Sequence, residues 1–248
     1  MCQVDVKKNA VPGSRIQLID AVRGLSILLM VIYHAGYDLV AFELIPVKIL
    51  FNPLLNTLEP LFAGVFILLS GVSARYARDN RARGLQVLVC ALVVSLVTGM
   101  VGVPVAFGIL HCLGLCMVIC GDPAQWIDKI SRRIQPILFG SLFTLSYLVY
   151  RLVPLQNAFF DQVPYLYMFG LNGPAFQSAD YFPLLPWFFL YPLGAWLGLY
   201  IKEGRFPSWF YTCNIPVLPF LGRHTLVIYM LHQPVLYGLV SLTAYWVL

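Results

Sequence analysis

The sequence predicts an all-α fold: a polytopic integral membrane helical bundle of about seven transmembrane helices, N-terminus cytoplasmic. Three observations carry that prediction. The chain is 60% hydrophobic and 11% charged, against about 25% charged residues in an average soluble domain. Its apolar residues are gathered into segments long enough to cross a hydrocarbon core about 30 Å thick. Its lysines and arginines fall on one side once those segments are threaded through a bilayer.

The segments run roughly over 18–42, 61–77, 84–105, 106–121, 134–152, 182–201 and 224–246. The first carries four ionisable residues, Asp20, Arg23, His34 and Asp38. At 100° per residue they fall near about 0°, −60°, −40° and 0°, one narrow stripe on an otherwise apolar helix. Such residues at bilayer depth are costly and face a protein interior or a water-filled cavity. That stripe is therefore the first candidate site.

Residues 44–60, with Pro46, Pro53 and Pro60, read as an interfacial or re-entrant piece. The second span presents a small face, Ser70, Gly71 and Ala74, suited to close helix packing. The third and fourth meet at a tight turn around Gly102–Pro104. Cys112, Cys116 and Cys120 stand at i, i+4, i+8 on the fourth, a spacing read as packing at a helix interface rather than as metal ligation. The stretch 152–182, rich in aromatics and proline, reads as a packed loop. The sixth span holds a G-x-x-x-G face, Gly194 to Gly198. On the seventh, Thr225, Tyr229, His232 and Gln233 share a polar face, and Pro234 removes a backbone donor, so a kink is expected there.

Charge fixes the orientation. With residues 1–15 as a cytoplasmic tail of a single domain spanning 1–248, fourteen of the 16 Lys and Arg face the cytoplasm. Only Lys48 and Arg151 face the far side. This positive-inside bias accounts for the net charge of +5. A nucleic-acid partner is not needed, and membrane lipids are the surroundings. The first helix carries charges and lacks a small-residue cleavage pattern, so no cleavable signal is expected, and Cys2 follows Met1 with no apolar region before it, so no lipoprotein signal is expected either.

Three histidines fall at one depth. At a rise of about 1.5 Å per residue, His34 lies roughly 16 Å above Arg23, His111 roughly 16 Å above Asp122, and His232 roughly 14 Å above Arg223. All three are thus expected near the midplane, around a common cavity. Asp38, one turn beyond His34, is placed to accept from one ring nitrogen and leave the other as a base. His34, Asp38, His111 and His232 are the candidate catalytic residues. Arg75 and Arg78, with Arg23, are the candidate phosphate-gripping residues of a cofactor site. Asp180 and Tyr181, with Tyr229 and Gln233, are the candidate substrate residues. No metal is expected. A proton-coupled small-solute transporter fits the polar stripe less well, because the chain has no internal repeat and an odd number of helices, and a non-catalytic membrane protein would leave the His34–Asp38 pair without a purpose.

The order of the motifs is familiar. Leu18-Ile-Asp20-x-x-Arg23-Gly24 leads to Tyr33-His34; then come Phe66-Ile-Leu-Leu-Ser70-Gly71 and Phe107-Gly-Ile-Leu-His111. Asp180-Tyr-Phe-Pro-x-x-Pro186-Trp187 and Leu221-Gly222 through Tyr229-x-x-His232-Gln233-Pro234 complete the set. Together they resemble the bacterial branch of the heparan-α-glucosaminide N-acetyltransferase catalytic-domain family, over about residues 15–246. The resemblance implies acyl transfer across the membrane from cytosolic acetyl-CoA, with a histidine at its centre, matched by position to His34. It implies an envelope sugar or glycan as acceptor, an amine or hydroxyl receiving the acetyl group. The expected location is the inner (plasma) membrane, multi-pass, with the cavity open to the non-cytoplasmic side. A homodimer is compatible with this reading.

Overall fold

The structure, a computed structural model, describes residues 15–50, 52–153 and 157–247. Cys2, Lys7, Lys8 and most of the expected tail lie outside the described residues. Among those described, the chain is helical, with one isolated bridge between Phe107 and Tyr181. The α-helices in order are α1 Gln17–Ala41, α2 Val47–Leu50, α3 Pro53–Ala74, α4 Asn80–Met100, α5 Ile109–Cys120 and α6 Pro123–Trp126. After these come α7 Gln135–Leu152, α8 Leu184–Trp187, α9 Leu190–Lys202, α10 Ser208–Thr212, α11 Leu218–Arg223 and α12 Thr225–Val247.

Five stretches are long and apolar enough to cross a bilayer: α1, α3, α4, the α8–α9 stretch Leu184–Lys202, and α12 over Thr225–Trp246. They correspond to five of the seven expected segments. The fourth segment holds α5, apolar but only 12 residues long, about 18 Å at the helical rise. Residues 104–107, just before it, are irregular, and their backbone is paired with the chain around 178–182. Pro104 O accepts from Ala179 N, Phe107 O from Phe182 N, and Ala106 N donates to Ser178 Oγ. Irregular backbone is tolerated at bilayer depth when protein supplies its hydrogen bonds in this way.

Residues 44–60 differ from expectation. Pro53 sits in the first turn of α3, where its missing N–H costs nothing, and Asn52 Oδ1 accepts from Leu55 N at 2.9 Å as the cap. The helix therefore starts well before the expected span and carries Pro60 inside it. The stretch 152–182 includes two 3₁₀ turns, Ala158–Gln162 and Pro164–Phe169. α12 runs on through Pro234.

The chain forms two compact units, residues 51–203 and residues 1–50 with 204–248. In the first, α3 lies against α9 so closely that a methyl group at Gly71 would strike the Tyr191 carbonyl, and one at Gly194 the Leu68 carbonyl. These are the small faces expected from sequence. Cys112, Cys116 and Cys120 are fully buried free thiols on α5. Asn80, buried at the start of α4, donates through Nδ2 to the carbonyls of Met117 and Gly121 (3.2 and 2.8 Å), and accepts from Tyr191 Oη at 3.1 Å. One carboxamide thus ties α4, the end of α5 and α9 together.

In the second unit, α1 packs on α11 backbone to backbone. A methyl group at Gly24 would collide with the Leu218 carbonyl, and one at Gly222 with the Asp20 carbonyl. α1 also runs beside α12 in the same direction. Arg23 Nη2 donates to Thr225 Oγ1 at 3.4 Å near the start of both, and Gln233 Nε2 donates to Asp38 Oδ1 at 2.8 Å further along. Gly222→Ala should destabilise the protein by about 1–3 kcal/mol through overpacking. A lowered midpoint in thermal unfolding of the purified protein in detergent is the expected reading; an unchanged midpoint would show that the seam is looser than described.

Candidate active site

Each polar residue of the α1 stripe has a definite place in the second unit. Asp20 lies near the foot of the helix, and Arg23 reaches Thr225, which is buried at the start of α12. His34 is half-buried, and its ring lies 5.0 Å from the His232 ring, centroid to centroid, at 84°. Asp38 is only 6% exposed. Its Oδ1 takes the hydrogen bond from Gln233, and its Oδ2 has no hydrogen-bond partner among the described residues. The hydrogen bond that Asp38 makes runs across to Gln233 on α12, in place of the expected direct link to His34 one turn back on its own helix.

His232 has its own constraint. Its Nδ1 is 2.6 Å from the Tyr229 carbonyl one turn back on α12. A carbonyl only accepts, so Nδ1 carries the proton, and in the neutral ring Nε2 holds the lone pair. The Tyr229 ring packs 5.3 Å from that of His232. The helical spacing of Tyr229, His232 and Gln233 therefore delivers a ring, a tautomer and a carboxamide to one face of α12. That face meets the α1 stripe.

His111 belongs to the other unit and has a different setting. Its Nδ1 accepts from Gly108 N at 3.2 Å, and its Nε2 is 3.2 Å from Ser95 Oγ. Ser95 Oγ donates to the Val105 carbonyl at 2.5 Å. The proton directions follow in sequence: the hydroxyl hydrogen is turned to Val105, so Nε2–H donates to the hydroxyl oxygen. Both ring nitrogens are thus engaged in holding the turn before α5, a structural setting rather than that of a poised base.

The remaining expected residues are also placed in the 51–203 unit. Asp180 Oδ2 accepts from Ile109 N at 3.1 Å and so caps α5, not the helix it precedes in sequence. Tyr181 Oη donates to the Tyr167 carbonyl at 2.6 Å. Burial, reinforced by the neighbouring Tyr150 and Tyr167, pushes the Tyr181 hydroxyl above its ordinary range, so it stays a neutral donor.

Arg75 makes a two-pronged ion pair with Asp128, 2.7 Å at both contacts, and its Nε donates to the Ala195 carbonyl at 2.7 Å. With 6% of its side chain exposed, this guanidinium is a fastener between α3, α9 and the turn after α6, not a free phosphate grip. Arg78 is exposed in the turn between α3 and α4. The sequence reading missed Asn80, Ser95 and Asp128 as partners. Each lies far along the chain from the group it serves, and no local pattern marks it.

Fold and site together define a class: a helical membrane protein whose polar groups converge on a buried histidine seam. The chain belongs to the heparan-alpha-glucosaminide N-acetyltransferase catalytic family, whose sequence profile matches residues 15–234. It is thus a membrane acyltransferase, of a family that implies an acetyl-CoA donor in general. No curated protein and no solved structure matches the chain significantly.

The Asp38–Gln233 contact has a distinctive energetic signature. Gln233→Leu should cost about 1–3 kcal/mol, because it leaves a buried carboxyl group with no donor. Asp38→Leu combined with Gln233→Leu should lie closer to wild type than Gln233→Leu alone, since both polar partners are then gone. Thermal unfolding of Gln233→Leu, of Asp38→Leu and of the double variant checks this; strictly additive losses would mean that the two side chains do not depend on each other.

Proposed function

We propose that the α1–α12 seam is the catalytic centre of acyl transfer from a cytosolic acyl-CoA, acetyl-CoA in the first instance. The acceptor is an amine or hydroxyl of an envelope sugar or glycan approaching from the far side of the inner (plasma) membrane. The single observation that carries this reading is the His34–His232 pair, two imidazoles 5.0 Å apart inside a membrane enzyme. Two imidazolium ions at that distance repel by roughly 3 kcal/mol at an effective dielectric constant of about 20. The pair therefore takes up one additional proton at a time, which suits it to taking a proton from an acceptor and passing it on.

In this mechanism His34 takes the proton of the attacking amine or hydroxyl. Acetyl-CoA supplies the activated acetyl group as a thioester. The new acyl bond forms at the acceptor's nitrogen or oxygen, the carbon–sulfur bond breaks, and the proton held by the pair goes to the departing thiolate. His232 supplies the second basic nitrogen through Nε2, because the Tyr229 carbonyl holds its Nδ1–H. Gln233 positions Asp38, whose second oxygen remains to accept from the acceptor or to balance the imidazolium.

His34→Ala and His232→Ala should each lower turnover by about 10²–10⁴-fold, the contribution of a positioned base, with acetyl-CoA binding largely kept. Asp38→Asn should cost less. Retention of more than about a tenth of wild-type turnover by both histidine variants at saturating substrates is incompatible with an essential base at the seam.

The same reading places the N-terminus in the cytoplasm with seven crossings, α5 and α7 joining the five long stretches. Reporter fusions in 78–83 should report the cytoplasm and those in 157–180 the far side. Both on one side would require an even number of crossings between them.

A further inference from the structure

A cavity of about 350 Å³ lies at the foot of the α1–α11 pair, lined by Arg15, Gln17, Asp20, Asn214, Phe220 and Arg223 among others. Arg223 Nε donates to the Pro219 carbonyl at 3.1 Å, which fixes the guanidinium plane. Its two Nη groups have no hydrogen-bond partner among the described residues, and Arg15 is exposed beside it. Phe220 is 56% exposed, its ring 4.4 Å from that of His224. Two guanidinium groups outweigh the one carboxylate, so the cavity is an anion site with an aromatic surface on its wall.

We propose that this cavity takes the phosphorylated adenosine end of the acyl-CoA donor, Arg15 and Arg223 gripping its phosphates and Phe220 offering a stacking face to the base. Planar guanidinium groups match phosphate oxygens in pairs, and an aromatic ring accepts any base by its face. The inference rests on the acyl-CoA reading of the seam above. It agrees with that reading in length. Arg223 closes α11, Thr225 opens α12 two residues on, and from Thr225 to His232 the helix rises about 11 Å over seven residues. The arm of coenzyme A from pyrophosphate to sulfur is a chain of about thirteen atoms, roughly 15 Å extended at peptide-like spacing. A donor anchored at Arg223 therefore carries its thioester to the level of the histidine pair. Arg75, held by Asp128 and Ala195, is not needed for this anchoring.

A phospholipid headgroup presents the same phosphate chemistry, and the test separates the two. Purified protein in phosphatidylcholine nanodiscs is titrated calorimetrically with acetyl-CoA and with adenosine 3′,5′-bisphosphate. Wild type should bind both. Arg15→Ala and Arg223→Ala should each weaken both ligands by about 10-fold or more, the value of a charge-assisted hydrogen bond. Asp20→Asn, which removes the opposing charge, should tighten both by about 3-fold, a gain that misfolding does not produce. Unchanged acetyl-CoA affinity in both arginine variants overturns the placement while leaving the acyl-CoA reading standing. Failure of wild type to bind acetyl-CoA removes that reading, and the placement with it. If the arginine variants bind acetyl-CoA normally but lose phosphatidylglycerol retained by wild type in native mass spectra, the cavity holds a lipid headgroup and the proposal is overturned.

Discussion

A polar group at bilayer depth has no water to turn to, so its partner has to come from the protein itself. Much of this structure follows from that constraint. Hydroxyls on the long helices fold back on their own backbone: Ser26 donates to the Val22 carbonyl, Ser73 to Leu69, Thr98 to Val94 and Thr243 to Leu239. Groups too large for that reach across to another helix, as Asn80 does to α5 and Gln233 to α1. Each such reach fixes one helix against another at a chosen height. The polar inventory of the spans is thus also the list of cross-braces that set the register between helices.

Against that background the α1–α12 seam differs from the His111 corner. His111 sits in a closed sequence of hydrogen bonds in which every proton has a destination, from Nε2 to Ser95 and from Ser95 to the Val105 carbonyl. In the seam, His232 Nδ1 is held by the Tyr229 carbonyl, and Asp38 has one oxygen satisfied and one without a hydrogen-bond partner among the described residues. A closed network rigidifies the corner it holds.

Much of this was legible in the sequence, for reasons that can be named. The stripe on α1 and the polar face of α12 follow from helical periodicity alone, since four ionisable residues on an apolar helix have few places to go. The close approaches at Gly71 and Gly194 were likewise signalled by small residues at one-turn spacing. What the sequence hid was pairing over distance. Gln233 stands 195 positions from Asp38 and Asp128 stands 53 from Arg75, and nothing local marks either as a partner. The arginines illustrate the cost: a cluster on one side of the membrane serves topology, and only the tertiary contacts separate Arg75, which is locked, from Arg223, which faces a cavity. The prolines of 44–60 misled in the opposite sense. They signal breaks, yet Pro53 begins a helix because Asn52 caps it.

The short helix α5 has an effect on the membrane around it. A helix of about 18 Å fills little more than half of a 30 Å apolar layer, and the remaining depth beside its first turn is occupied by the paired backbone of 104–107 and 178–182. Peptide groups there replace hydrocarbon. For a helix at bilayer depth, such paired peptide groups make the apolar layer locally thinner than the surrounding lipid.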